Sequence, residues 1–347
     1  MRPILSTLIS SLQVAFQRDA VISENIRLVQ DVIEYCDRED RDGILLFCDQ
    51  DSAYPRVELP FLRRVMHTMN LHQDFIGLVD CMYNKANVKV KVNGHVDDIP
   101  YEQANGLHQG CCLSPILYLL HLQSFLSLLD TAGVGGVDGP RLHGIEIPAD
   151  SAGSNSVELK VASYADDMCC FLRDADQLPT FRSLLHIYEQ GSGARNSWPK
   201  THMLRVGALR DSDYLPPGWV DSKDEVAGQT SVDCSGAVIR YLGIFLGAPE
   251  QVARKWHERV TQKMERRMTE WAQRGMPRTR EGRNVVTKNS VFACAWFMVQ
   301  NQTPPNLEHM LEVWYQQEWG FIEASLASSL HDGKRSPKVK CGVCRRP

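Results

Sequence analysis

Tyr164-Ala165-Asp166-Asp167 is the stretch of this chain whose residue types call most directly for chemistry. It lies inside VELKVASYADDMCCFL, residues 157 to 172, where Val157, Leu159 and Val161 alternate with Glu158, Lys160 and Ser163 before the apolar run Met168 to Leu172. That pattern predicts two strands meeting at a tight acidic turn. Adjacent aspartates with no basic neighbour repel each other, so a sheet edge that holds them loses stability unless a doubly positive ion binds there. The chemistry they point to is divalent-cation binding. Taken alone, the dipeptide also fits an ordinary surface turn, and further residues have to separate the two.

A third acid stands more than a hundred residues upstream. In GILLFCDQDSAYPRV (43 to 57) an apolar strand, Ile44 to Cys48, runs directly into Asp49. A carboxylate at a strand end can project into a cleft; it can also merely end the strand and cap a helix starting near Pro60. From Asn105 the text is NGLHQGCCLSPILYLLHLQSFL, a Gly-bounded loop containing Gln109 and Gly110, followed by Ser114 as expected N-cap and Pro115 at the first position of a long apolar helix. Loop glycines of this kind let backbone approach a ligand, or serve the turn alone.

The elements that must position these residues follow from periodicity. Ile22, Ile26, Val29, Ile33 and Cys36 share one helical face. Residues 61 to 83 hold two short amphipathic helices, and Val88, Val90 and Val92 alternate with Lys89 and Lys91 up to Asn93-Gly94, a strong hairpin signal. A Gly-rich loop (133 to 144) leads to the central hairpin, a helix is expected near 176 to 189, residues 208 to 236 read as a long polar loop, and Ile239 to Gly247 as strand and turn. From Val252, Trp256, Val260, Met264 and Met268 recur every fourth place among Lys and Arg, and further helices are expected at about 284 to 300 and 306 to 322, split by Pro304-Pro305. Cys341 and Cys344 form a lone CxxC in the tail, without the second ligand pair that a zinc site needs.

At 347 residues and 43% apolar content the chain can bury a large core in one or two domains. The net charge of -4 excludes a uniformly cationic surface, but its distribution is uneven: nine acids face three arginines from Asp31 to Glu58, and eleven Lys or Arg face four Glu from Arg254 to Lys288. An acidic front with a basic back suits a metal site joined to a polyanion clamp. Eleven scattered cysteines, several in apolar runs, indicate reduced core thiols of an intracellular protein. Residues 4 to 16 mimic a signal peptide but are broken by Ser and Gln, and Leu113 to Leu129 carries too many polar groups for a membrane span. The reading is a nuclear or cytoplasmic protein, neither secreted nor membrane-bound.

In sequence order, FCDQDSAYPRV (47 to 57), GLHQGCCLSP (106 to 115), SYADDMCCFL (163 to 172), SGARNSWPKT (192 to 201) and RYLGIFLG (240 to 247), with QVAFQRDAVISENIRLVQD (13 to 31) upstream, resemble the reverse transcriptases of non-LTR (LINE-type) retrotransposons. The resemblance covers nearly the whole chain. It implies an α+β, right-hand polymerase with an antiparallel-sheet palm: truncated fingers and palm over 1 to 247, a helical thumb over 248 to 325 and a basic tail over 326 to 347. It further implies RNA-directed DNA synthesis on an RNA template and DNA primer from deoxynucleoside triphosphates. Asp49, Asp166 and Asp167 would be the catalytic carboxylates holding two Mg²⁺ or Mn²⁺ ions, with the Gln50 carbonyl as a further ligand. Nucleotide addition needs such a pair of ions about 4 Å apart, one to acidify the primer 3'-hydroxyl and one to neutralise the triphosphate.

By the same resemblance Tyr54 blocks a ribose 2'-hydroxyl, Gln109 and Gly110 lie under the incoming nucleotide, Lys200 protonates the leaving pyrophosphate from across the cleft, and the basic helix from 254 follows the duplex backbone. The chain departs from the family where Ser52 and Pro55 replace Lys and Asp, Cys112 replaces Pro, Asn105 and His108 replace Arg, and Gln123 replaces Glu. Ala20 stands at a triphosphate-binding Arg position, with Arg18 nearby, and neither an endonuclease nor a complete cysteine-histidine segment is present, as in a fragment of a larger element. Two other readings stay open. One is an inactive remnant that keeps the fold and nucleic-acid binding. The other is a phosphatase built on Asp49-Gln50-Asp51, which would need parallel strands where the two hairpin signals predict antiparallel ones.

Overall fold

The computed structural model describes residues 2–302 except 18, 84–85, 135–138, 150–155, 225–226, 235–237 and 276–278. Arg18, the helix expected at 306 to 322 and the tail with Cys341 and Cys344 lie outside the described residues. The chain divides into two compact units, Met1–Leu242 and the residues from Gly243 on. The first runs α1 (Arg2–Leu8), α2 (Ile22–Arg38), β1 (Gly43–Cys48), α3 (Leu59–Thr68), α4 (Gln73–Tyr83), β2 (Ala86–Val88), β3 (Lys91–Val92), β4 (His95–Val96), β5 (Tyr101–Gln103) and α5 (Ser114–Thr131). It continues with β6 (Ile145–Pro148), β7 (Ser156–Leu159), β8 (Val161–Tyr164), β9 (Asp167–Leu172), α6 (Gln177–Ser192), β10 (His202–Val206), β11 (Trp219–Asp221), β12 (Thr230–Val232) and β13 (Ile239–Tyr241).

Its centre is a four-stranded antiparallel sheet in the order β10-β1-β9-β8. All six residues of β1 are buried, as an inner strand covered on both faces requires, and this is why GILLFC reads as a continuous apolar run. Ile44, Leu45 and Leu46 are wholly inaccessible, each contributing about 1.5–3 kcal/mol by burial. Helix α5 is apolar nearly all round and lies in the same core, where Phe125 stacks on Tyr188 of α6 at 4.9 Å and meets Phe181 edge-on at 6.2 Å. The Asn93-Gly94 turn joins β3 to β4 with φ of 50° and 88°, the left-handed pair that a two-residue hairpin needs.

Three expectations need correction. Ser114 is not the N-cap of α5: that position is Leu113, and the Ser114 hydroxyl instead donates to the His108 carbonyl at 2.6 Å and accepts from Tyr83 Oη at 2.8 Å. The run 157 to 161 is not one strand. It breaks at Lys160, whose nearly buried ammonium reaches the carbonyls of Leu129 and Asp130 at 3.2 and 3.3 Å and so neutralises the C-terminal end of α5, while β7 pairs with β6 and β8 with β9. Residues 208 to 236 are not all loop, since β11 and β12 form a small parallel pair.

In the second unit, β14 (Ile244–Leu246) precedes α7 (Pro249–Arg274), α8 (Arg280–Val286) and α9 (Ala293–Asn301), the last two joined by a π-helical turn over Thr287–Phe292. Trp256, Val260 and Met264 of α7 are buried, whereas Lys255, Arg259, Lys263, Arg266 and Arg267 are exposed, so one face packs and the others are cationic.

Candidate carboxylate site

Strands β1 and β9 are registered with Cys48 opposite Met168, so one further step sets Asp49 across from Asp167 where the pairing ends. Strands β8 and β9 close with Tyr164 opposite Asp167, leaving Ala165 and Asp166 as the two turn residues. Ala165 takes the left-handed φ of 55°, unusual for a residue with a Cβ. The sheet therefore brings an early acid to the two acids of the turn, as the sequence reading requires.

Their proximity shows in the electrostatics. The Asp167 carboxyl is pushed up from 3.8 to about 6, first by desolvation, although solvent still reaches it, then by the like charges of Asp166 and Asp49, with Arg240 opposing. Tyr54 is raised by partial burial and by the Asp166 charge, and the buried Tyr118 is raised well above the usual phenol range, with Asp166 and Asp167 among the causes. Negative charge thus accumulates between the strand ends and the neighbouring aromatic residues.

The segment after α6 lies antiparallel to the residues after β1: Ser197 N–H donates to the Asp49 carbonyl at 2.8 Å and Asp51 N–H to the Arg195 carbonyl at 2.9 Å. The short helical turn Trp198–Lys200 then sets Lys200 Nζ 3.6 Å from Asp49 Oδ2. Lys200 thus closes directly on Asp49 instead of standing across a cleft from it. Both side chains are exposed, 69% and 46%, which makes the pair a screened contact of at most about 1 kcal/mol that a stronger cation can displace. Asp51 turns away to Arg56, whose guanidinium Nε and Nη2 lie 3.1 and 2.5 Å from Oδ2 and hold that carboxyl below its usual range.

Gln50 is tied by its side chain, Oε1 accepting from Tyr118 Oη at 2.7 Å. Tyr118 also stacks on Tyr54 at 5.1 Å with an 18° interplanar angle. The Tyr54 carbonyl accepts from Leu107 N–H at 2.8 Å and the Val57 carbonyl from Gly106 N–H at 3.0 Å, anchoring the loop that carries Gln109 and Gly110. Gly106 is required there: at φ 90° an added Cβ would sit 2.6 Å from the Pro55 carbonyl oxygen. The structure therefore gathers Asp49, Gln50, Tyr54, Asp166, Asp167 and Lys200, and leaves Gln109 and Gly110 exposed on an anchored loop beside Tyr54. Sequence reasoning missed the roles of Tyr118, Arg240 and Gln13, although Gln13 and Arg240 open segments already singled out and Tyr118 is a lone phenol in an apolar helix.

The donor set is three carboxylates with no thiol or imidazole among them, which fits a hard divalent cation. Among the described residues, no three His, Cys, Asp or Glu side chains already surround one point as a preformed cage. No described helix is long and apolar enough to cross a membrane.

An antiparallel sheet that presents an acidic hairpin turn beside a strand-end aspartate offers carboxylates to a hard divalent cation, and comparison with known proteins gives the class of protein. Residues 1–246 match the family "Reverse transcriptase (RNA-dependent DNA polymerase)", and the chain belongs to that family. It is similar to the "Transposon TX1 uncharacterized 149 kDa protein" of Xenopus laevis, 26% identical over 276 residues, which cover 80% of this chain and 19% of that protein. The likeness to retrotransposon enzymes drawn from the sequence thus holds for the family and for a transposon relative, of whose length the chain spans about a fifth. Among solved structures, the telomerase of Candida albicans in complex with a fragment of telomeric RNA is 12% identical, with a TM-score of 0.40, covering 96% of this chain and 54% of that one. An apo telomerase of Candida tropicalis has the same identity and TM-score over 65% of this chain and 38% of that chain.

Proposed function

We propose that the chain is the polymerase part of a non-LTR retrotransposon enzyme, copying an RNA template by adding deoxynucleotides to a DNA primer 3'-hydroxyl. The first unit would supply fingers and palm and the helical second unit a thumb. The observation that carries the reading is the convergence of Asp49, Asp166 and Asp167 at one end of the sheet, where desolvation first, and then the charges of Asp166 and Asp49, raise Asp167 to about 6. Such a cluster destabilises the metal-free chain and is relieved by cation binding. With two Mg²⁺ or Mn²⁺ ions bound, the site gains Lewis-acid activation of the primer hydroxyl and charge neutralisation of the triphosphate.

The chain's own residues do the rest. Asp49 and Asp166 would be the principal metal ligands, with Asp167 and the Gln50 carbonyl beside them. Gln50 is oriented by Tyr118. Tyr54, backed by the Tyr118 ring, would close the space that a ribose 2'-hydroxyl needs. The loop carrying Gln109 and Gly110 would support the incoming nucleotide. Lys200 would leave Asp49 when cations enter and protonate the pyrophosphate. The exposed cations of α7 would contact duplex phosphates without reading sequence. A nuclear or cytoplasmic location follows from such substrates.

Primer extension on an RNA template with Mg²⁺ or Mn²⁺ tests the reading. The wild-type chain extends the primer, and Asp166→Ala reduces extension to background. Equal extension by both proteins refutes it.

A further inference from the structure

Gln13 is wholly buried, yet no part of the chemistry above uses it. The segment around it adds one parallel bridge to the outer edge of β8: Ser163 N–H donates to the Leu12 carbonyl at 2.9 Å and Val14 N–H to the Ser163 carbonyl at 3.0 Å. From that edge the Gln13 carboxamide reaches over the end of the strand. Its Oε1 accepts from Ala165 N–H at 2.9 Å and from Ala15 N–H at 3.0 Å. Its Nε2 donates to Ser163 Oγ at 2.8 Å and to the Ala165 carbonyl at 3.2 Å. Both lone pairs and both N–H groups of the amide are thereby used.

The contact with Ala165 is reciprocal: one side chain holds both the N–H and the C=O of a single turn residue, as a neighbouring strand would. Ala165 is also the residue with φ of 55°, a conformation that a non-glycine residue keeps only when its surroundings over-determine it. Asp166 follows at once, so the orientation of Ala165 sets the direction in which the turn carboxylates leave the sheet. The clamp is itself secured, since Ser10 N–H donates to Gln123 Oε1 on α5 at 2.8 Å and Gln17 Nε2 donates to the Ser10 and Gln13 carbonyls. A packing role alone would call for an apolar side chain here. A four-bond amide aimed at one strained turn calls for alignment.

We propose that Gln13 is a positioning residue for the catalytic carboxylates: its carboxamide locks Ala165 in the left-handed conformation and so fixes Asp166 and Asp167 for cation binding. This inference rests on the polymerase reading of that site. Gln13→Met keeps the buried volume and removes all four bonds. Ser163→Ala removes the hydroxyl that accepts from Nε2 at 2.8 Å and itself donates to the Ala165 carbonyl at 3.3 Å, so it loosens the same turn while leaving the Gln13 bonds to Ala165 in place, and it carries the test if Gln13→Met fails to fold. In primer extension we expect kcat to fall 10- to 100-fold in Gln13→Met and two- to fivefold in Ser163→Ala. KM for the nucleotide should change less than threefold and half-saturating Mg²⁺ should rise at least threefold. Hydrogen exchange in the peptide covering 161 to 168 should quicken in both variants.

Loss of activity that only tracks the folded fraction, with an unchanged Mg²⁺ requirement, overturns the proposal. If the wild-type chain extends no primer, the polymerase reading fails by itself, and Mn²⁺ binding followed by electron paramagnetic resonance decides the positioning role. Weaker Mn²⁺ binding together with faster exchange in the variant upholds it, and unchanged binding refutes it.

Discussion

Replacing Asp167 by Asn should stabilise the metal-free protein near neutral pH. The Asp167 carboxyl is raised from 3.8 to about 6, so the folded chain holds that proton more tightly than the unfolded chain does. The favourable contribution is complete below about pH 4 and is lost as pH rises through about 6; above that, the ionised group is a net burden. A rise from 3.8 to about 6 corresponds nominally to roughly 3 kcal/mol. Because solvent reaches the side chain, screening reduces this to about 1–1.5 kcal/mol. The opposing attraction to Arg240 is already contained in that net shift. For a unit of this size the melting temperature of Asp167→Asn in EDTA at pH 7.5 should exceed wild type by about 2–5 °C, and the difference should vanish at pH 4. Mg²⁺ should raise the wild-type melting temperature more than that of the variant, since the variant has already lost the repulsion that the cation relieves. Scanning calorimetry at the two pH values, with and without Mg²⁺, measures all three quantities. A variant that is neutral or less stable at pH 7.5 in EDTA, or equally stabilised at both pH values, refutes the claim that the acids share one field.

Tyr118→Phe keeps the stack on Tyr54 but strips Gln50 Oε1 of its 2.7 Å donor, and should cost about 1–2 kcal/mol in denaturant unfolding while lowering extension. Gly106→Ala meets both a φ of 90° and the Pro55 carbonyl 2.6 Å from the new Cβ; a loss of at least about 2 kcal/mol is expected, and a melting temperature within 1 °C of wild type would contradict it. Arg259, Lys263 and Arg267 are exposed on α7, and their joint replacement by Ala should weaken primer–template binding equally for all sequences and reduce the salt slope, log K against log salt, by about 3 in fluorescence anisotropy.

What could be read from the sequence was local. The strand entering Asp49, the left-handed Asn93-Gly94 turn, the acidic turn after Tyr164 and the amphipathic helices each follow from neighbours within a few residues, where alternation, helical period and turn chemistry speak directly. What escaped was non-local. Tyr118 meets Gln50 across 68 positions and Gln13 meets Ala165 across 152, and a side-chain bond of that kind leaves no period behind it. Ser114 misled because a hydroxyl before an apolar helix is ordinarily its cap, while here the nearby His108 carbonyl and Tyr83 hydroxyl claim it. Lys160 broke an alternating run because its ammonium finds two helix-end carbonyls behind the sheet.

The same division between local and distant contacts explains how the acids are held together. Asp49 and the Asp166-Asp167 turn repel each other, so no local preference would assemble them; the strands that carry them must be joined more strongly than the acids push apart. Strand β1 supplies this, paired on both edges and buried along its whole length, so that its end is fixed by the core. The turn lacks that protection, because β8 is an outer strand of the sheet and Ala165 sits in a conformation it would not choose alone. The Gln13 amide and the Ser163 hydroxyl meet this weakness at the place where it arises. On this view the rigid half of the site comes from a hydrophobic strand and the vulnerable half from a hydrogen-bonded clamp. Substitutions in the clamp should therefore change cation affinity before they change the melting temperature, while substitutions in β1 should do the reverse.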